Sequence, residues 1–316
     1  MPRTTTTGLP NPVQNWFNHT LLAVATPEYI HRLGCVRYTI PRNNSKTITF
    51  RRPNRLPTAL VPLGNQGIDP PSTPLTAVDI SATVDWYGQW VEINEQVTLT
   101  SQDPVLNWAA ERLGQSMLET SDQLVKNMLE ATASQINAVN GINGDNPTEI
   151  SLPDVSDVIN VLMSADAKRM LDNIEGQNRF GTAPIANAFM ALAHTDLSSD
   201  LRNVQGFIHV SQYPSQGPVM RSEWGSVENV RFFLSSIGSK IPNASSLGND
   251  VYNVFIQGME SVACIDLDGA NAQFIFNSPE VVGGPLRQNA SAAWKMAEVS
   301  RIVNDTWLVA LRVTRG

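Results

Sequence analysis

The sequence predicts an α+β protein, and three observations carry the prediction. Residues 46–55 and 79–100 alternate polar and apolar side chains at the two-residue period of strands. Residues 105–134 run without a proline through an apolar stripe at three- and four-residue steps, the mark of a long amphipathic helix. The tail closes on an apolar run at 307–311. At 316 residues and 42% hydrophobic content the chain suffices for one large domain or two ordinary ones.

Residues 1–45 show no sustained period. Four consecutive threonines from Thr4 to Thr7, several prolines and the scattered apolar side chains Trp16, Phe17, Leu21 and Leu22 describe an extended arm that needs an external surface. The first apolar cluster, 21–25, is too short for the core of a secretory signal, and no run approaches membrane-spanning length. The net charge of −7 hides a split. Through Arg55 the chain carries seven Arg, one Lys and one Glu, a balance of +7, which leaves −14 for residues 56–316. Such a basic segment is usually laid on something acidic, either nucleic acid or the body of an identical neighbour.

In 46–55, Thr47, Thr49 and Arg51 take one strand face and Ile48, Phe50 and Arg52 the other. A longer strand is expected over about 79–100, with Ile80, Ala82, Val84, Trp86 and Trp90 on one face and Thr83, Asp85, Tyr87, Gln89 and Val91 opposite. At roughly 3.3 Å per residue it would span about 70 Å. Between the two, Pro53, Pro57, Pro62, Pro70, Pro71 and Pro74, with Gly64 and Gly67, forbid a regular element. The pair reads as a two-stranded ribbon with a loose tip, too poor in core to stand alone.

Asp103 can cap a helix whose first residue is Pro104. Leu106, Ala109, Ala110, Leu113, Met117, Leu124, Met128 and Ala131 then give a spine helix roughly 45 Å long one buried face. The Asn- and Gly-rich stretch 137–146 is a loop. A second amphipathic helix is predicted over 153–173 through Val155, Val158, Ile159, Leu162, Ala165 and Met170. Residues 186–202 mix strand and helix signals, and 293–315 ends as a strand buried in a sheet.

The chain contains no His-Glu-x-x-His zinc motif, phosphate-binding loop, Gly-x-Ser-x-Gly elbow or dinucleotide fingerprint. His19, His31, His194 and His209 are dispersed, without carboxylate or cysteine at ligand spacing, and are assigned to packing or surface roles. Asp266-Leu267-Asp268-Gly269 resembles the start of a calcium loop, but Ala270 and Ala272 occupy later ligand positions and no Glu closes it, so it reads as a turn. Asp154 and Asp157 sit near a helix start, where the macrodipole favours acids. Cys35 and Cys264 form no metal or redox spacing, which argues against a disulfide. Trp86, Tyr87 and Trp90, set against Arg51, Arg52 and Arg55, could stack on single-stranded nucleic acid. Asp85, Glu92 and Glu95 would repel its phosphates, so a ribbon packed on protein is the better reading. Arg51, Arg52, Arg55, Trp86 and Trp90 are therefore candidate inter-subunit contacts, and no catalytic residue, cofactor or metal ligand is expected.

The order of elements, together with several local stretches, resembles the major capsid proteins of tailed bacteriophages, in particular the family typified by coliphage N-four. The stretches are Thr47-Ile48-Thr49-Phe50-Arg51-Arg52-Pro53-Asn54-Arg55-Leu56, Tyr87-Gly88-Gln89-Trp90-Val91-Glu92-Ile93 and Asp103-Pro104-Val105-Leu106. They continue with Ala193-His194-Thr195-Asp196-Leu197 and Asp200-Leu201-Arg202, then Pro285-Leu286-Arg287-Gln288, Trp294-Lys295 and Asn304-Asp305-Thr306-Trp307. The resemblance covers nearly the whole chain and implies the Hong Kong 97-type fold. Residues 1–45 would be the N-terminal arm, 46–100 the extended β-hairpin loop (E-loop), and 101–175 a peripheral domain holding the spine helix at 103–135. Residues 176–290 would be mostly axial domain, with 291–316 returning as a strand to the peripheral domain.

The implied function is structural and not enzymatic. Pentamers and hexamers of the chain would form the icosahedral head of a virion, assembled in the host cytoplasm around double-stranded DNA touched without sequence readout. Scaffold, portal or decoration proteins are possible partners; a cofactor or a membrane is not implied. The charge split becomes an inter-subunit attraction. No scaffolding segment precedes the arm, so a separate scaffold protein or none is expected. Some relatives crosslink a loop lysine to a neighbour's asparagine; here the likely loop strand offers only Lys46, and a non-covalent shell is expected. The rivals are an encapsulin-like compartment of the same fold, an α/β enzyme with an unremarkable site, and a nucleic-acid-binding module using the first 55 residues.

Overall fold

The computed structural model describes residues 26–60, 72–100, 105–132, 134–170, 187–213, 219–220, 222–270, 272–278, 281, 286 and 288–316. The expectations for the arm through residue 25, the ribbon tip at 61–71 and the Asp103 cap with Pro104 lie outside these residues. In chain order the elements begin with β1 (Val36–Ile40), β2 (Thr47–Pro53), β3 (Ala77–Thr83), β4 (Asp85–Asn94), α1 (Glu95–Thr100), α2 (Val105–Glu130), β5 (Gln135–Asn137) and α3 (Leu152–Ser164). Then follow β6 (Phe189–His194), α4 (Ser198–Asn203), β7 (Ile208–His209), β8 (Glu223–Val227), β9 (Val230–Ser235) and β10 (Lys240–Ile241). The last are β11 (Val251–Gln257), β12 (Val262–Leu267), β13 (Gln273–Asn277), β14 (Asn289–Ile302) and β15 (Leu308–Thr314).

A large mixed sheet runs β5-β15-β11-β6-β9-β8-β7, with β10 beside β11. Its inner strands read as continuous apolar runs because both faces are covered. Phe189, Ala191, Val254, Ile256, Val309 and Leu311 meet α3 and α4 on one face. Met190, Leu192, Phe233, Phe255, Leu308 and Ala310 meet Val125 and Leu129 of α2 on the other. β15 is an inner strand, antiparallel to β11 and parallel to β5.

The second sheet is built around β14. β4 lies along one edge of it, β12 and β13 follow each other along the opposite edge, and β1 flanks β12 in parallel. The first half of α2 packs on this sheet through Leu113 against Ala292, Trp294 and Met296. One helix of 26 residues, about 39 Å at 1.5 Å per residue, therefore lies against both sheets. Its stripe contains two buried polar residues. Asp122 accepts from the His31 backbone at 2.9 Å and lies 2.6 Å from His31 Nδ1. Ser121 receives Arg32 at 2.6 Å and donates to Glu298 at 2.8 Å. These contacts root the segment before β1 on the helix and on β14.

Two expected elements differ. The strand at 79–100 breaks at Val84, whose N–H bonds the Lys46 carbonyl at 2.9 Å, after which the chain leaves the ribbon for β14. The buried face switches there. Ala82 and Val84 point into the core, but beyond the break Ile93 does, and Trp86 and Trp90 point outward. The strand ends at Asn94, whose side chain accepts the Gln96 N–H at 2.8 Å and so opens α1. The helix at 153–173 stops at Ser164, because Asp166 turns the chain with a positive φ of 54°. Met170 is buried on the α2 side of the large sheet, bridged to Ala188, and does not continue the helix. The Asp154 reading is sharpened: its carboxylate accepts the Ser151 and Val139 N–H groups, closing the start of α3 and a neighbouring loop at once.

Candidate functional site

β2 and β3 pair antiparallel from Thr47 with Thr83 to Pro53 with Ala77. Ile48 and Phe50 turn their face toward Ile40, Ala82, Val84 and Ile265, and Phe50 tilts onto Tyr38 at 4.9 Å between ring centres. This cluster, with Ala263, Ala270 and Ala297, supports the ribbon at its base. Farther out, a cavity of about 390 Å³ separates it from the body, lined by Arg52, Val78 and Ile80 on one side and Met128, Ala131 and Arg301 on the other.

The three ribbon arginines are all engaged within the chain. Arg51 grips its cross-strand neighbour Asp79 with two bonds, Nε to Oδ1 at 2.8 Å and Nη2 to Oδ2 at 2.9 Å. The bond from Arg51 holds the Asp79 carboxyl below the usual carboxylate range. Arg52 donates to Asn304 at 2.5 Å across the mouth of the cavity. Arg55 reaches Asp166 at 3.3 Å, with both side chains more than 80% exposed, so water screens the pair.

Trp86 and Trp90 stand on β4, 60% and 64% exposed, on the face of the second sheet turned away from α2. Their strand neighbours are Ala297 and Ala293 of β14. β4 has left the ribbon for β14, so the tryptophans and the ribbon arginines stand on different sheets and not on one paired ribbon.

Other exposed apolar residues carry no periodic signal and were not anticipated as surface features. Leu56, Leu60 and Leu75 flank the ribbon tip, and Ile142 and Leu247 project from two loops far apart in sequence. Asp145 joins those loops by accepting from Asn146 N–H, Ser246 Oγ, Leu247 N–H and Asn249 Nδ2 at 2.6–3.0 Å. Burial pushes its carboxyl up, but the bonds from Ser246, Ser245, Asn146 and Asn249 outweigh this and hold it well below the usual range.

Several titratable side chains outside these surfaces hold the fold together. His194 Nδ1 accepts the Asp196 N–H at 3.0 Å and caps a helical turn, while burial lowers the basicity of its ring. Asp196 is held by Tyr252 at 2.9 Å and Lys240 at 3.5 Å. Cys35 and Cys264 are buried free thiols. Their mutual hydrogen bond, followed by burial, pushes the Cys35 thiol up and away from the reactive thiolate. Asp268 follows the β12 strand and pairs with Arg42 in a turn closed by Gly269 at φ +80°. Among the described residues no group of three or more His, Cys, Asp or Glu side chains is placed to hold a metal, and no helix is long and apolar enough to cross a membrane.

Comparison with known proteins points the same way. Residues 77–283 match the family model described as phage capsid protein. No curated protein matches the chain by sequence. Among solved structures, the capsid of Ralstonia phage GP4 is similar with a TM-score of 0.70 and 10% identity, over 97% of this chain and 96% of that one. The head structure of Helicobacter pylori bacteriophage KHP40 gives 0.69 and 9%, over 100% and 98%. The capsid of cyanophage P-SCSP1u gives 0.67 and 11%, over 97% and 94%. At these identities the likeness is one of fold, and the fold is the Hong Kong 97-type α+β architecture.

Proposed function

The chain belongs to the phage capsid protein family, whose members are structural proteins and not enzymes, and on that premise we propose that it fills the pentamers and hexamers of an icosahedral head that encloses double-stranded DNA. The observation that carries this reading is a two-stranded ribbon with apolar support only at its base, beside exposed Leu56, Leu60, Leu75, Trp86 and Trp90. Such surfaces are stable only when another subunit covers them. Repeated around closed symmetry, many modest contacts of this kind add up to a container.

In this reading residues 1–45 are the arm, 46–100 the E-loop, 101–175 peripheral domain, 176–290 mostly axial domain and 291–316 the returning segment. Arg51, Arg52, Arg55, Trp86 and Trp90 contribute inter-subunit contacts. Arg55 is the arginine best able to change partners, since its bond to Asp166 is long and solvated. The excess of acid beyond residue 55 keeps contact with DNA weak and free of sequence readout. The test is electron microscopy with light scattering on the purified chain at rising concentration. Closed shells or five- and six-fold capsomers are expected; a monodisperse monomer at high concentration overturns the reading.

A further inference from the structure

We propose that β4 is a self-pairing edge: two copies of the chain join β4 to β4, antiparallel, about a two-fold axis passing through Gly88. The inference rests on the inter-subunit reading of Trp86 and Trp90 and names their partner as the same strand of a second copy.

The first ground is the state of the edge. β4 pairs with β14 over ten residues on one side and, among the described residues, with no strand on the other. Among the described residues no strand pairs with its outer edge from Trp86 to Glu92. Edges of this kind are normally blunted by lysine, proline or a bulge, because they template pairing with another chain. Asp85–Asn94 contains neither lysine nor proline, and its register with β14 is unbroken. Every residue from Asp85 to Glu92 except Tyr87 is exposed.

The second ground is the symmetry of the sequence about Gly88. Trp86 and Trp90 lie two residues to either side of it. With Gly88 opposite Gly88 of the second copy, Trp86 falls opposite Trp90 of that copy, and the same pair recurs across the axis. Positions two apart share a sheet face, so the four indoles form one patch on the side away from α2. The glycine leaves the centre of that patch free of a side chain. Charge agrees as well: Asp85 meets Val91 of the second copy, and no like charges stand directly opposite between residues 85 and 91.

The register makes the test sharp. Directly opposed residues of an antiparallel pair have Cα atoms about 4.5–5.5 Å apart, within the span of a disulfide. Full-length Trp86→Cys and Trp90→Cys chains, each alone and then mixed in equal amounts, are treated with diamide under assembly conditions. Disulfide-linked dimers are expected in the mixture, in up to about half of the pairs, and in neither variant alone. Absence of the link in the mixture, or equal linking in the single variants, overturns the proposal. Hydrogen exchange on the unaltered chain guards against a variant that fails to fold. Protection of alternate amides over 85–91 is expected on assembly, and no protection overturns the proposal. Protection without the Trp86→Cys to Trp90→Cys link means that another segment occupies the edge, which also overturns it. Shells that form without the link leave the capsid reading standing and remove this joint; linked dimers that never form shells do the reverse.

Discussion

Glu223 and Arg231 show what a single buried pair demands of this fold. Neither side chain touches solvent, and the guanidinium meets the carboxylate at 2.7 and 2.5 Å. Tyr213 joins them at 3.2 Å, its hydroxyl pushed up to about 12, chiefly by burial. Replacing Arg231 with Met leaves a buried carboxylate without a counter-charge and should cost about 3–5 kcal/mol, read as a lower denaturant midpoint. The double variant Arg231→Met with Glu223→Leu should recover much of that loss, since the desolvated charges leave together. Asp145 governs the acid limb of stability. Its folded pKa is depressed, so its contribution is complete above the ordinary carboxylate range near pH 4 and is lost as pH falls below it. The thermal unfolding midpoint should therefore drop as the pH is taken below about 4, and Asp145→Asn should be less stable at neutral pH and flatter on the acid side. Glu298 has the opposite sign: burial raises its pKa, so its contribution grows on acidification and is lost as pH rises through that value.

Among the elements, α2 carries the most. Leu129, fully buried between the helix and the large sheet, should lose about 2–5 kcal/mol on substitution by Ala, measured by urea unfolding. Leu118, half exposed on the same helix, should lose much less. The helix was legible in the sequence because its stripe runs unbroken for many turns; Leu113 is buried as read, and Met117, Leu124 and Met128 are half-buried. The sequence understated Val125 and Leu129, which face the large sheet, and it hid Asp122, whose partner His31 lies 91 positions away. β2 was legible for a similar reason, since Ile48, Phe50 and Arg52 keep one face throughout. The 79–100 strand was misread because its alternation continues through Val84 while the buried face changes there. The residues proposed for inter-subunit contacts could be chosen from the sequence only by residue type. Nothing local to Arg51 announces Asp79, and nothing local to Trp86 announces that its strand belongs to another sheet.

At the scale of the whole molecule, the described residues form a firm body with a poorly supported ribbon and an edge, β4, that no described strand covers, and these are the parts that assembly should complete. Lys46 is the lysine beside the ribbon strand, and it stands at the foot of the ribbon, where its carbonyl holds Val84 in the first rung. Particles boiled in detergent should accordingly run as a single band at 34.6 kDa on denaturing electrophoresis, and a ladder of linked subunits would contradict a non-covalent shell. The position of β15 bears on when a new chain becomes usable at all. The large sheet cannot close between β5 and β11 until residues 308–314 have cleared the ribosome, because that strand fills the gap between them. Folding of the body thus waits for the synthesis of this strand and does not keep pace with that of the segments before it. A chain cut short before residue 308 should leave the β11 edge uncovered, and limited proteolysis should degrade it faster than the full chain.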